Sequence, residues 1–196
     1  MSTKIISFEV VHGRNDPEII EECHRIRKEV FHIEQKFPLD TEFDEVEHVA
    51  MHFLVRVTEE DSTTGERVTK GVGTIRGTAP DVYPAINRYK LSRLAVEADY
   101  RQHKLGRLLV NSLHNWVLLD AAATNRPAEV ECHAQIPVIP FYEKFGFVPE
   151  GERFDEDGAP HQNMVARLKF PVPVQHMVAK VGTGLLDANA NANGSD

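Results

Sequence analysis

Cysteine is scarce in this sequence, which has only Cys23 and Cys132 among 196 residues. Two thiols are too few for a disulfide framework, and the ten histidines do not follow the Cys/His spacing of a zinc finger. The N-terminus also lacks the apolar run of a secretory signal, and no stretch approaches the roughly 18 apolar residues that a membrane helix needs. We therefore expect a cytoplasmic protein that does not act in a membrane.

Positive charge is also in short supply. Lysine and arginine number 22 against 30 aspartates and glutamates, so the formal net charge is -8 at pH 7. A chain with this balance has no general attraction for a polyphosphate backbone, and we do not expect nucleic acid as a partner.

The size of the chain favours one domain, because 196 residues with 41% hydrophobic residues are enough to bury a single sizeable core. We assign this domain to residues 1–170. Residues 171–196 lose their periodicity and end in a run rich in Asn and Ala, which cannot bury enough apolar surface to offset its ordering entropy. We expect that segment to be a flexible or loosely attached tail.

Hydrophobic periodicity predicts alternating strands and helices, as in an α/β protein. Asp16 and Pro17 mark the start of a first helix, since a capping carboxylate precedes a proline that needs no N–H partner. A long helix is predicted from Leu105 to about Ala122, and a short one begins at Pro140 and ends at Gly146. The predicted strands cover 5–10, 52–57, 68–76, 89–96, 128–134 and parts of 147–168.

A basic loop lies directly before the long helix. Residues 101–107 place three fixed positive charges and one histidine at a junction between a strand and a helix. The first N–H groups of a helix lack internal partners and favour negative charge there by roughly 0.3 to 1 kcal/mol. Gly106 would let a phosphate approach the backbone closely. The alternative is a helix start decorated with solvated Lys and Arg.

Two ordered motifs resemble the GNAT superfamily of N-acetyltransferases. The span from Arg101 to Gly106 is similar to the superfamily signature of Arg or Gln, two residues, Gly, one residue, then Gly or Ala. Lys104 stands where the first glycine usually lies, and a lysine can keep an ordinary helical conformation and still offer its N–H. Pro140 to Phe147 resembles the later motif, in which a short helix with an aromatic pair ends at a glycine.

The resemblance implies a mixed, mostly antiparallel central sheet flanked by helices. It also implies transfer of an acetyl group from acetyl-CoA to a primary amine, with Tyr142 as the general acid that protonates the departing thiolate. A main-chain N–H of the preceding strand would stabilise the carbonyl oxygen. The residues so assigned to coenzyme binding are Leu94, Ala95, Val96, Arg101, Gln102, His103, Lys104, Leu105, Gly106, Arg107 and Tyr142. Tyr142 could instead pack its ring and leave its tip in water, while Phe141 and Phe145 are expected in the core.

The amine must lose a proton before it attacks, and an acidic stretch offers candidates. Glu47 and His48 are the candidate base, Glu42 and Asp44 could hold a cationic substrate, and an ordinary solvated loop is the alternative. Gln135 and His161 are expected to line the acceptor pocket.

A metal is not expected, because the pair His48 and His52 leads into a strand and has no third ligand. Cys132 and His133 are neighbours on a strand and point to opposite faces, so they cannot easily form a nucleophile and base pair. This favours direct transfer in a ternary complex.

Three functions stay open at this point. The first is acetylation of a small amine such as an amino sugar or polyamine, and the second is acetylation of a protein lysine or N-terminus. The third is a non-catalytic module that binds acyl-CoA. Exposed edge strands also leave a homodimer open.

Overall fold

The strands between residues 3 and 169, the range that our computed structural model describes, join in one seven-stranded sheet. They are β1 (Thr3–Arg14), β2 (Met51–Asp61), β3 (Arg67–Thr78), β4 (Tyr89–Val96), β5 (Glu129–Gln135), β6 (Phe147–Glu156) and β7 (Ala159–Arg167). Their order in the sheet is β1-β2-β3-β4-β5-β7-β6, and β4–β5 is the one parallel pair in this range. The predicted mixed, mostly antiparallel sheet is confirmed. The tail expected over 171–196 lies outside the described residues.

Helices cover both faces of the sheet. They are α1 (Pro17–Arg27) with its π-helical continuation (Lys28–Glu34), α2 (Leu105–Thr124) and α3 (Ile139–Glu143). Short 3₁₀ turns occupy Leu39–Thr41, Pro80–Val82, Ala98–His103 and Ile136–Val138. None of the helices within 3–169 is long and apolar enough to cross a membrane.

Helix α1 begins where the sequence predicts. The carboxylate of Asp16 accepts hydrogen bonds from the N–H groups of Glu18 at 3.1 Å and Ile19 at 3.3 Å, and Pro17 follows as the first helical residue. Cys23 is fully buried on the apolar stripe of this helix, which packs against β2 and β3. The thiol is thus a core group, as expected.

Alternation along β2 separates two hydrophobic cores. Leu54 packs with α1, whereas its neighbours Phe53 and Val55 point to the other face and pack with α2. The larger core lies on the α2 side and contains Leu105, Leu109 and other buried residues of that helix. The sheet therefore lies between α1 and α2, and both helices contact β2, β3 and β4.

Strands β4 and β5 pair over a short distance and then separate. Tyr89 and Lys90 are paired with Val130 and Glu131, and the register ends there. Past this point, the main-chain groups of β4 that face β5 have no strand partner among the described residues. The sheet consequently opens into a wedge between its two central strands.

A bulge in β4 lies beside this wedge. Thr74 of β3 pairs with Ala95 and Arg76 pairs with Ser92, so two residues of β4 oppose one of β3. Arg93 has a φ of 55° in this bulge, in the left-handed region. The bulge turns the backbone of Arg93 and Leu94 out of the regular ladder.

Candidate active site

A cavity of about 720 Å³ occupies the wedge between β4 and β5. Its walls come from β4, the start of α2, β5, α3, the β6–β7 turn and the segment that follows α1. The predicted site residues that line it are Glu42, Asp44, Leu94, Val96, Arg101, Lys104, Gly106, Arg107, Gln135, Tyr142 and His161. The fold thus brings the basic loop, the aromatic helix and part of the acidic stretch to one place.

The first turn of α2 offers free main-chain donors to this cavity. The carbonyl of Lys104 accepts hydrogen bonds from the N–H groups of Arg107 and Leu108 at 3.0 and 3.2 Å. Within 3–169, no hydrogen bond uses the N–H groups of Leu105 or Gly106. Lys104 and Arg107 are exposed and form no ion pair with another described residue. Free amides and free cations at a helix start fit a phosphate group.

Lys104 departs from the ordinary helical conformation that we expected. Its φ and ψ are 59° and 25°, in the left-handed region. The chain needs this reversal to leave the 3₁₀ turn Ala98–His103 and enter α2. Glycine adopts the left-handed conformation freely, whereas a lysine costs about 1 to 2 kcal/mol there. The expectation was wrong, and the backbone geometry is one that a glycine would favour.

Arg101 is committed to protein groups. Its Nη1 and Nη2 donate to the carboxylate of Glu34 at 2.8 and 2.5 Å, and its Nε donates to the carbonyl of Val96 at 3.0 Å. Hydrogen bonding from Arg101 lowers the pKa of Glu34 below its ordinary value. Arg101 therefore ties the π-helical segment to the end of β4, and Lys104 and Arg107 are better placed to bind phosphate.

Four other residues predicted to bind coenzyme do not line the cavity. Gln102 donates to the carbonyl of Asp99 at 2.7 Å, and the ring of His103 packs against Phe8 with centroids 5.3 Å apart. The side chains of Leu105 and Ala95 are buried in the two cores. For Leu105 and Ala95, only the main-chain groups remain available for coenzyme binding.

Tyr142 combines a packed ring with a free hydroxyl. The residue is 7% exposed, and its ring packs edge-on against Phe147 and Phe141 at 5.5 and 5.2 Å. It lines the cavity, and its hydroxyl forms no hydrogen bond with any residue of 3–169. Burial raises the pKa of Tyr142, so the hydroxyl stays protonated at neutral pH.

The aromatic pair beside Tyr142 serves both the core and the cavity. Phe141 and Phe145 are partly buried and pack against the larger core, as expected, and they also line the cavity. A Cβ added to Gly106 would lie 3.3 Å from Cζ of Phe141. Gly106 therefore lets α2 and α3 approach closely at the cavity wall.

The acidic stretch is neutralised by buried arginines. Arg27, which is 1% exposed, donates from Nε to Glu42 at 2.9 Å and from Nη1 and Nη2 to Glu47 at 3.0 Å each. Arg76 binds both carboxylate oxygens of Asp44 at 2.7 Å and one oxygen of Glu47 at 2.5 Å. We call this group, together with Arg93, the arginine–carboxylate cluster.

Arg93 completes the cluster from the β4 bulge. Its guanidinium lies 3.6 Å from Glu42 and 3.7 Å from Asp44. Three carboxylates thus face three guanidinium groups. The expectation that Glu42 and Asp44 hold a cationic substrate is not supported, because their charges are already compensated.

Glu47 and His48 do not suit the role of base. Burial alone would raise the pKa of Glu47, but hydrogen bonds from His24 and Arg27 lower it far below its ordinary range. A carboxylate with so low a pKa binds a proton very weakly. Glu47 also lies outside the cavity lining. His48 is exposed and also lies outside it. The physical reason is long-range pairing with Arg27 and Arg76, which the local sequence did not reveal.

Strands β5 and β7 form one wall of the cavity. Gln135 and His161 face each other across these strands, and both line the cavity. That this wall binds the acceptor stays a prediction. His133 lies on the same face of β5 and also lines the cavity. From the sequence alone, His133 is considered only as a possible partner of Cys132, although the strand alternation that excludes this pair also directs His133 away from the core. Within 3–169, no three His, Cys, Asp or Glu side chains form a group that could hold a metal ion.

Comparison with known proteins agrees with this architecture. Residues 64–168 match the family model described as an acetyltransferase (GNAT) domain. The chain is 30% identical over 159 residues to a Bacillus subtilis protein named uncharacterized N-acetyltransferase YjcF, covering 81% of this chain and 99% of that relative.

Solved structures share the fold. An acyl-CoA N-acyltransferase from Pseudomonas aeruginosa superposes with a TM-score of 0.61 at 21% identity, covering 82% of this chain and 99% of that one. Escherichia coli ElaA superposes with a TM-score of 0.61 at 22% identity, covering 84% and 100%. From the family match and the YjcF relationship, the chain belongs to the GNAT acetyltransferase family and is an acyltransferase.

Proposed function

We propose that this protein transfers an acetyl group from acetyl-CoA to the primary amine of a small molecule, by direct attack in a ternary complex. One observation supports this most: a single cavity is bordered by Gly106 with its free amide, by the free hydroxyl of Tyr142 and by the unpaired backbone of β4. These are the groups that a coenzyme diphosphate, a departing thiolate and a developing oxyanion require.

The donor is held at the start of α2. The amides of Leu105 and Gly106 bind the diphosphate, and Lys104 and Arg107 add charge-assisted contacts. The acyl end of the donor lies in the wedge between β4 and β5. There, a main-chain N–H in the region of the bulge, at Leu94 to Val96, stabilises the carbonyl oxygen as it gains negative charge.

Direct transfer is supported by the position of the cysteines. Cys132 is 1% exposed and Cys23 is 0% exposed, and neither lines the cavity. Burial raises the pKa of Cys132 and raises the pKa of Cys23 to about 11, so neither is a thiolate at neutral pH. An acyl-cysteine intermediate would need an accessible thiolate, and the sequence has no third cysteine.

The acceptor is a small amine rather than a polycation. A polyamine needs several uncompensated carboxylates, whereas three of the four that line the cavity have partners. Glu42 and Asp44 are paired with Arg27, Arg76 and Arg93, and Glu156 is paired with His133. Gln135, a neutral hydrogen-bonding group, and Asp157, which forms no ion pair within 3–169, also line the cavity. An amino sugar or another amine with a polar, uncharged body suits this pocket better than a polyamine.

A screen of amines with acetyl-CoA and detection of free thiol tests the proposal. The panel contains glucosamine, putrescine, glycine and a lysine-containing peptide. We expect turnover with an amino sugar and little with putrescine. Thiol release with the peptide alone would favour a protein acetyltransferase, and no amine-dependent release despite binding of acetyl-CoA would favour a non-catalytic module.

A further inference from the structure

We propose that His133 is the general base that removes the proton of the acceptor amine and that Glu156 is the residue that positions it. This assignment rests on the acetyl transfer proposed above. It concerns a pair of side chains that face the acceptor side of the cavity, away from the buried core that contains Cys132.

The hydrogen bond between the two residues fixes the tautomer of His133. Nδ1 of His133 lies 2.9 and 3.1 Å from the two carboxylate oxygens of Glu156. An ionised carboxylate only accepts hydrogen bonds, so Nδ1 carries the hydrogen and the lone pair of the neutral ring is on Nε2. No hydrogen bond within 3–169 uses Nε2. A basic nitrogen is therefore available on a side chain that lines the cavity.

The β6–β7 hairpin holds the ring in place. Phe154 of β6 packs edge-on against His133 with centroids 4.9 Å apart, and Glu156 lies two residues further along the same strand. Hydrogen bonding from His133 lowers the pKa of Glu156 below its ordinary value. Glu156 is thus ionised at neutral pH and stabilises the imidazolium that forms when His133 accepts a proton.

His161 is the alternative base in this cavity and is less suited to the role. Its Nδ1 donates to the carbonyl of Ala159 at 2.8 Å, and its ring stacks on Phe154. A neutral carbonyl stabilises an imidazolium less than a carboxylate does. His161 is also 7% exposed, whereas the side chain of His133 is 25% exposed.

Other charged groups lie near the pair. Lys90 of β4 packs its ammonium over the ring of Tyr83 at 5.4 Å and lines the cavity. Glu131, on the same face of β5, is 3.8 Å from Arg88 and is compensated by it. The titratable and charged groups on this side are Tyr83, Lys90, Glu131, Glu156, Asp157 and His161.

The acceptor ammonium loses two protons in each turnover, the first to His133 and the second to Tyr142. His133 takes one proton from the acceptor ammonium, and the freed lone pair forms the C–N bond. The C–S bond breaks, and the sulfur takes the proton of Tyr142. The nitrogen then loses its second proton, which returns through water to Tyr142, while His133 releases its proton to solvent. One proton is released in each turnover, as conversion of an ammonium and a thioester to an amide and a thiol requires.

The test uses His133→Gln and Glu156→Gln, with kcat/KM measured from about pH 5.5 to 9 on acetyl-CoA and the best amine of the screen. For the parent, kcat/KM should rise with pH through a histidine ionisation. His133→Gln should lower kcat/KM by about 10²-fold or more and remove that step, because general bases contribute about 10² to 10⁴-fold. Binding of acetyl-CoA, followed by thermal shift, should be retained.

The pH profile of Glu156→Gln distinguishes a positioning role for Glu156 from a merely structural role, which would leave the position of the step unchanged. Without the carboxylate, the imidazolium loses its ionic partner, so the step in kcat/KM should move to lower pH while kcat/KM falls by less than in His133→Gln. His161→Gln is the comparison, and we expect it to keep the step whatever its effect on KM. If His133→Gln fails to fold, the shift of the pH step in Glu156→Gln still tests the assignment of His133 as the base.

The assignment is overturned if His133→Gln binds acetyl-CoA and keeps both the rate and the pH step, if Glu156→Gln leaves the step in place, or if only His161→Gln removes it. Failure of the parent with every amine is a different outcome. It would overturn the proposed function, and this assignment together with it.

Discussion

Lys104 carries strain that a glycine would not. The residue has left-handed backbone angles and an exposed cation at the start of α2. We expect Lys104→Gly to be more stable than Lys104→Ala by about 0.5 to 1 kcal/mol, because relief of the left-handed strain exceeds the extra entropy of glycine in the unfolded chain.

Urea denaturation of the two variants measures this difference. Both variants lose the same cation, so their affinities for acetyl-CoA should fall together by a few-fold. Equal or greater stability of Lys104→Ala would mean that residue 104 does not need the left-handed conformation.

A single substitution at Tyr142 separates its chemical role from its packing role. Tyr142→Phe keeps the ring against Phe141 and Phe147 and removes a hydroxyl that bonds no described residue. We expect kcat to fall by about 10²-fold with little change in thermal stability, since an acid at the leaving sulfur contributes about that much.

Steady-state kinetics with acetyl-CoA tests this expectation. Tyr100→Phe is the matched control, because its hydroxyl donates to Glu59 at 2.6 Å and lies outside the cavity lining. Turnover of Tyr142→Phe equal to that of Tyr100→Phe would remove the acid role.

At the scale of elements, the arginine–carboxylate cluster anchors the loop between α1 and β2. Its members come from α1, the loop, β3 and β4, so it ties elements that are far apart in the chain. Glu47→Gln leaves Arg27 and Arg76 without this partner, and we expect it to lower the free energy of unfolding at neutral pH by about 3 kcal/mol. Glu45→Gln, an exposed neighbour, should change it by less than about 0.5 kcal/mol.

The effect of Glu47→Gln should also depend on pH. The pKa of Glu47 is lower in the folded protein than its ordinary value of 4.5, so its contribution is complete above that value and is lost as the pH falls towards the folded pKa. Urea denaturation at pH 7 and near pH 3 should therefore show a gap between parent and variant that narrows in acid. A gap that is constant or widens in acid would contradict the ion pairing.

At the scale of the whole molecule, charge is distributed unevenly. The chain has a net charge of -8, yet the cavity is lined by seven Lys and Arg residues against four Asp and Glu residues. A cationic cavity in an acidic protein attracts an anionic ligand, whereas the acidic remainder of the surface repels it and does not compete for binding.

Acetyl-CoA should therefore stabilise the fold through its phosphates. A ligand present at a hundredfold excess over its Kd contributes roughly 2.7 kcal/mol, which a thermal shift detects. Acetyl-pantetheine, which lacks the diphosphate, should give a much smaller shift at the same concentration, and added salt should reduce the shift with acetyl-CoA. Equal shifts with the two ligands would place the binding energy away from α2.

Much of the fold follows from local signals in the sequence. The cap at Asp16, the strand over 89–96 and the start of α2 at Leu105 depend on residues within a few positions of one another. The exception is 147–168, where the sequence pattern predicts strands and does not place the turn between them. Asp157 and Gly158 both have positive φ and reverse the chain between β6 and β7, as an Asp-Gly pair favours.

The features of the site also divide into those that local sequence predicts and those that depend on tertiary structure. The sequence by itself determined the basic loop at the start of α2 and the aromatic helix with Tyr142, because periodicity, capping and charge act over one or two turns. Only the tertiary structure decided that β4 and β5 separate into a wedge, that Arg27 and Arg76 neutralise the acidic loop, and that Glu156 meets His133. Those side-chain contacts join residues 15 to 32 positions apart, and strand order and packing, rather than local propensity, bring them together.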